Sequence, residues 1–166
     1  MSAPERRPLD RTQWMVLVAA FLGWLFDGFE LGLFPLVARP ALQDLLGEAG
    51  SKDLGAWTGI IHALTQFGAA CGGLAFGWFG DRVGRVRAMS ASILTYSLFS
   101  GLGYVAASPG QLGAFRFIAA LGMGGEWALG VALVMECWPE RLRPYLAGII
   151  GAAANVGFVL VACVGL

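Results

Sequence analysis

Charge is scarce in this chain. Asp, Glu, Lys and Arg make up 13% of its 166 residues, about half the roughly 25% of a typical soluble domain. The charges present cancel to a net of zero, so no long-range field points to an acidic partner or a nucleic acid. Cysteine is also sparse. Cys71, Cys137 and Cys163 lie within or at the ends of apolar runs, with neither metal-ligand spacing nor an even count for disulfides. They read as small apolar filler. The single histidine has no Ser/His/Asp or metal-ligand cluster around it, GMGGEW lacks the strand and spacing of a dinucleotide loop, and GDRVGR is no Walker motif. An enzyme, a metal and a cofactor are therefore not expected.

Hydrophobic residues are what the chain has in quantity, at 57%. They fall into runs over about residues 14–37, 56–79, 88–107, 111–135 and 145–166. Continuous runs of this length with few charges predict transmembrane helices rather than buried strands, hence an all-α polytopic membrane protein in a lipid bilayer. The connections are a polar segment over 38–55, the charged turn GDRVGRVR, a tight turn at Ser108-Pro109-Gly110, and ECWPERLRP. The basic start, MSAPERRPLDR, resembles a signal peptide, but the apolar stretch after it is too long for one and no cleavage site follows closely. It is expected to be retained.

Lys and Arg set the expected orientation. A cytoplasmic N-terminus places Arg6, Arg7, Arg11, Arg82, Arg85, Arg87, Arg141 and Arg143 inside, against Arg39 and Lys52 outside. The expected location is the plasma (inner) membrane.

The first run, which contains GWLFDGFELGLFPLV, carries two carboxylates in its middle. As a helix of about 36 Å it holds Asp27 and Glu30 near mid-depth, where an ionised group costs roughly 2.5–3.5 kcal/mol or more. Gly23, Asp27, Glu30 and Phe34 follow 4-3-4 spacing and share one helix stripe. A helix that only anchored the protein would not accept two acids there, so a proton or substrate site facing a bundle interior is expected. Gly28 and Gly32, Gly68 and Gly72, and Gly73 and Gly77 are four apart, a spacing that lets helix backbones approach closely.

Arg116, in the fourth run, is the cation those acids require. It lies about 7–8 Å below the outer end of its helix, and Glu30 about 10–11 Å below the outer end of its own, so pairing is geometrically allowed. Snorkelling of Arg116 to the interface is the competing reading. Glu126 is about 80° round the fourth helix from Arg116 and deeper. It reads as a second proton site, a partner for a cytoplasmic-side residue, or protonated filler. His62 is either a proton relay or an interfacial hydrogen-bonded side chain. Gln66 and Asn155 are candidate substrate contacts and equally candidates for interhelical hydrogen bonding.

The turn after the second run reads Gly77-Trp-Phe-Gly80-Asp81-Arg82-Val83-Gly84-Arg85-Val86-Arg87. Its glycines permit a sharp reversal, and Asp81 can meet the positive N-terminus of the next helix and the arginines. The stretch resembles the G-x-x-x-D-[RK]-x-G-R-x-[RK] signature of the major facilitator superfamily, in the loop between its second and third helices. Its charged positions are all filled. The fourth run, FRFIAALGMGGEWALGVALVMECWPERLRP, resembles that family's fourth-helix motif and the loop after it, with Pro144 where Gly or another residue is common. With D-G-F-[DE] in the first run and GGEW in the fourth, the chain is most similar to sialate:proton and related metabolite:proton symporters. Glu30 stands where that subgroup commonly has Asp.

The resemblance covers nearly the whole chain and implies several things. Gly77, Asp81, Arg82, Gly84, Arg85 and Arg87 would form a latch between the helical halves. An acid of the first helix would sit beside Arg116, its protonation freeing the cation. The function implied is proton-coupled symport of a small organic anion, such as a carboxylate or sugar acid. A neutral sugar or drug transporter, and a non-transporting membrane scaffold or pseudogene product, are the alternatives. Family members have twelve helices in two halves with substrate between them. Five runs are fewer than one half, so the chain is expected to be an amino-terminal fragment that lacks its carboxy-terminal helices and does not transport alone.

Overall fold

The computed structural model describes residues 10–164; Arg6 and Arg7, used above for orientation, lie outside them, as does the end of the fifth run. Five helices follow in order: α1 Arg11–Leu46, α2 Leu54–Val83, α3 Arg85–Leu102, α4 Pro109–Cys137 and α5 Arg143–Val164. Short 3-10 turns at Glu48–Asp53, Gly103–Val105 and Glu140–Leu142 connect them. By length and composition α1, α2, α4 and the segment containing α5 can each cross a membrane. The fold is that of a multi-pass membrane protein. α3, expected as a fifth span, falls short of that measure: it has 18 residues and begins RVR. Two of its hydroxyls are satisfied within the helix, Ser90 and Thr95 donating to the carbonyls of Val86 and Ala91 at 3.0 and 2.8 Å.

α1 is longer than its apolar run. It continues through Pro35 and Pro40 to Leu46 and takes in half of the segment expected as a loop. The cause is tertiary: Ala38 and Leu42 are buried, and Leu42 packs with Ile61 of α2 and Leu112 of α4 in one apolar cluster. Burial there outweighs the two lost backbone hydrogen bonds.

The turn between α2 and α3 shrinks to one residue. Gly84 has φ +95°, a conformation side chains disfavour, and its N–H closes α2 on the Gly80 carbonyl at 3.0 Å. The motif expected as a loop therefore occupies the last turn of α2 and the first of α3. Ser108-Pro109-Gly110 is likewise the start of α4. Ser108 caps it by accepting from the Gln111 N–H at 3.2 Å, and the Gln111 side chain accepts from the Ala107 N–H at 2.8 Å.

α4 is the central helix, with buried residues from Leu112 to Val134. Glycine lets its neighbours come to backbone contact. A Cβ on Gly72 would run into the Leu121 carbonyl, and one on Gly124 into that of Ala69, so α2 and α4 touch main chain to main chain. α1 and α5 do the same through Gly28 against Ala154 and Gly157 against Leu25. α3 closes on α4 at Gly122, whose carbonyl accepts from Ser92 Oγ at 2.6 Å. Large apolar side chains such as Leu74, Phe67 and Leu94 point outward, as lipid-facing positions do in a protein whose solvent is apolar.

Candidate functional site

The stripe of α1 that carries the acids runs along α4. Glu126 Oε1 occupies the space a Cβ on Gly23 would take. Asp27 Oδ2 accepts from Trp127 Nε1 at 2.6 Å. Glu30 pairs with Arg116, and the Arg116 guanidinium lies 4.0 Å from the centre of the Phe34 ring. Four residues of one stripe thus meet Glu126, Trp127 and Arg116 of a single neighbouring helix, which 3.6-residue periodicity allows when the two helices run side by side.

The upper level is an ion pair with a third member. Arg116 is 6% exposed, and Glu30 Oε1 accepts from both Arg116 Nη1 and Ser100 Oγ of α3, the latter at 2.7 Å. Arg116 Nε is buried without a partner among the described residues. The pair lines a cavity of about 340 Å³ bounded by α1, the end of α3 and α4, with Phe34, Tyr104 and Leu112 on its walls. Arg116 does not snorkel. Its charge is balanced inside the bundle, and its spare N–H leaves capacity for one more acceptor.

The lower level holds two carboxyl groups and, among the described residues, no cation. Asp27 is fully buried, and its Oδ1 has no partner among the described residues. Glu126 is 4% exposed. Trp24 and Trp127 lean together over this level, ring centres 5.6 Å apart. Asp27 and Glu30, neighbours on one stripe, therefore belong to different clusters: one is held by an indole, the other by a guanidinium.

At the far end of α4 a third cluster involves the motif between α2 and α3. Arg85 Nη2 meets Asp81 Oδ1 at 2.7 Å, and Arg85 Nε donates to Glu136 Oε1 of α4 at 3.0 Å. Arg82 lies 4.0 Å from the centre of the Trp78 ring, while Arg87 is exposed. Gly77 contributes a carbonyl that accepts from Arg85 Nη1 at 3.4 Å.

His62, Gln66 and Asn155 are exposed on the described bundle and join none of these clusters. Gln66 instead lines a separate cavity of about 410 Å³ between α2 and α4, together with Trp127. Four site residues escaped sequence reasoning: Ser100, Trp24, Trp127 and Glu136. Ser100 is one of several hydroxyls on α3, and nothing in spacing marks it. Trp127 follows directly on Glu126 in GGEW, a signal that was present but pointed to no partner.

A buried ion pair thus lies between two helices of a multi-pass membrane protein, with further acids beside it and a charged turn at one end. The chain belongs to the Major Facilitator Superfamily, whose family model matches residues 15–166. It is 35% identical, over 87% of its length, to a Haemophilus influenzae protein named for metabolite transport, of which it covers 34%. It is 31% identical, over 98% of its length, to the sialic acid transporter NanX of Escherichia coli, covering 38% of that protein. It is 33% identical, over 94% of its length, to the cis,cis-muconate transport protein of Acinetobacter baylyi, covering 37%. The chain thus spans little more than a third of these curated relatives. No solved structure matches it.

Proposed function

We propose that the chain is the amino-terminal part of a proton-coupled symporter for a small organic anion in the inner membrane, with its N-terminus in the cytoplasm. The observation that supports this most is the buried pair of Glu30 and Arg116. Neither charge is tolerable alone at that depth, where breaking a buried pair costs about 3–5 kcal/mol. Two exchanges keep the cluster neutral: a proton onto Glu30, and a carboxylate onto Arg116. Performed together, they replace one ion pair with another and carry a proton with the anion. Ser100 can donate to Glu30 or accept from it when protonated, so its hydroxyl suits both states. The names of the relatives, which include a sialic acid and a cis,cis-muconate transport protein, support the organic-anion class. The Asp81–Arg85–Glu136 cluster supports a latch at the cytoplasmic end, and the carboxy-terminal helices are the partner it would act against.

Proteoliposomes containing the complete gene product test the reading. An inward proton gradient should drive accumulation of radiolabelled sialic acid or cis,cis-muconate, and an uncoupler should abolish it. Accumulation that survives the uncoupler overturns the proton coupling; no uptake of either anion overturns the substrate class.

Orientation has its own test. Glu48 and Val86 are exposed at opposite ends of the bundle. In a background with Cys71, Cys137 and Cys163 replaced, an impermeant maleimide added to intact cells should label Glu48→Cys and spare Val86→Cys. The reverse pattern would invert the topology.

A further inference from the structure

The cavity between α2 and α4 is distinct from the one beside Glu30 and Arg116, and one of its walls is held in an unusual way. Trp127 lines it, while the indole N–H is spent on Asp27 Oδ2 at 2.6 Å and Trp24 leans on the ring from the side. Asp27 is fully buried. An indole that merely faced lipid would need no buried carboxylate to set its plane. The remaining walls are Gln66, Leu74, and alanines and glycines with no side chain beyond Cβ. Beneath them, α2 and α4 are in backbone contact at Gly124 and Ala69, so the floor cannot collapse to fill the space.

We propose that this cavity is a seat for the flat, unsaturated ring of a small organic substrate, with Trp127 as its stacking wall and Gln66 as its hydrogen-bonding rim. Aromatic faces gain from offset stacking on a fixed indole, and about 410 Å³ is within the range of small-molecule sites. Among the described residues no cation lines the cavity, so it takes the ring and leaves a carboxylate to be balanced elsewhere. A polyhydroxylated chain fits poorly. Its hydroxyls would face alanine and glycine with one amide to answer them, and unmet polar groups are costly. Because Asp27 holds the indole, anything that alters the Asp27 carboxylate is felt at the ring wall, which ties an acid of α1 to the binding surface of α4.

The inference rests on the organic-anion reading above but not on the Glu30–Arg116 coupling, and the test separates them. The complete gene product, purified into lipid nanodiscs, is titrated with radiolabelled 4-hydroxybenzoate as the flat probe, with gluconate as the polyhydroxylated competitor. Saturable binding of 4-hydroxybenzoate that gluconate does not displace is expected. Trp127→Leu should weaken it about tenfold or more, and Trp127→Phe, which keeps a ring face, should stay within about threefold. Ala70→Phe fills the cavity from α2 while leaving Asp27 and Trp127 in place and should also abolish binding; it decides the matter if Trp127→Leu does not fold. Undiminished binding in Trp127→Leu or Ala70→Phe, displacement by gluconate, or no binding of 4-hydroxybenzoate overturns the ring seat. If sialic acid or cis,cis-muconate is still taken up in those cases, the organic-anion reading stands without it.

Discussion

Glu30→Gln is expected to leave the complete transporter able to exchange substrate across the membrane but unable to accumulate it against a gradient. The amide keeps the shape of the carboxyl group, and its oxygen can still accept from Ser100 Oγ, which donates to Glu30 at 2.7 Å. What it lacks is a charge to balance Arg116 and a site for the travelling proton. With Arg116 buried, an unpaired guanidinium costs roughly 2.5–3.5 kcal/mol or more at membrane depth. The anionic substrate then becomes its only available counter-charge, so binding should tighten while release slows. Arg116→Ala should instead lose the anion. A charge-balanced Glu30→Gln/Arg116→Ala protein should recover much of the stability that either single change loses, because no charge is left stranded. Counterflow of labelled substrate, compared with gradient-driven uptake, checks the first expectation. Thermal unfolding of the four proteins checks the second. If Glu30→Gln still accumulates substrate, the coupling role passes to Asp27 or Glu126.

The largest structural effect is expected from one methyl group. Gly124→Ala places a Cβ against the main-chain carbonyl of Ala69, an obstacle that no side-chain rotation can clear. α2 and α4 must separate, and with them the wall that holds Trp127. Overpacking of a close-packed interior costs about 1–3 kcal/mol where side chains can yield. A rigid backbone contact should reach about 3 kcal/mol or beyond, which for a chain of this length is a fall in Tm on the order of 10 °C. Gly101→Ala is the control: a Cβ there meets open space, and the gain in helix propensity should hold or slightly raise the Tm. Equal Tm values for the two variants would mean that the helices do not meet at Gly124 as described.

Hydropathy alone located α1, α2, α4 and α5, because an apolar solvent demands long apolar runs whose backbone is satisfied within the helix. It failed at ends where burial, not lipid, decides. α1 reaches Leu46 because Leu42 is buried against Ile61 and Leu112, contacts between segments far apart in the chain. The glycine pairs showed that helices approach closely. They did not show that Gly72 and Gly124 bring α2 onto α4 while Gly28 and Gly157 bring α1 onto α5. A four-residue spacing specifies a groove on one helix and says nothing of what fills it.

The same division holds for the candidate site. Asp27, Glu30, Arg116 and Glu126 stood out in the sequence because charge is costly at membrane depth, and the Gly77–Arg87 motif because its charged residues have ordered spacing. Those are properties of single residues and of one helix, and a sequence carries them in full. Which charge meets which is a property of two helices. The stripe that placed Asp27 and Glu30 on one face could not separate them, yet they lie about 60° apart round α1 and about 4.5 Å apart along it, so one meets Trp127 and the other Arg116. Ser100, Trp24, Trp127 and Glu136 emerged only from the packing, because a hydroxyl, an indole or a surface acid acquires meaning from the group it faces.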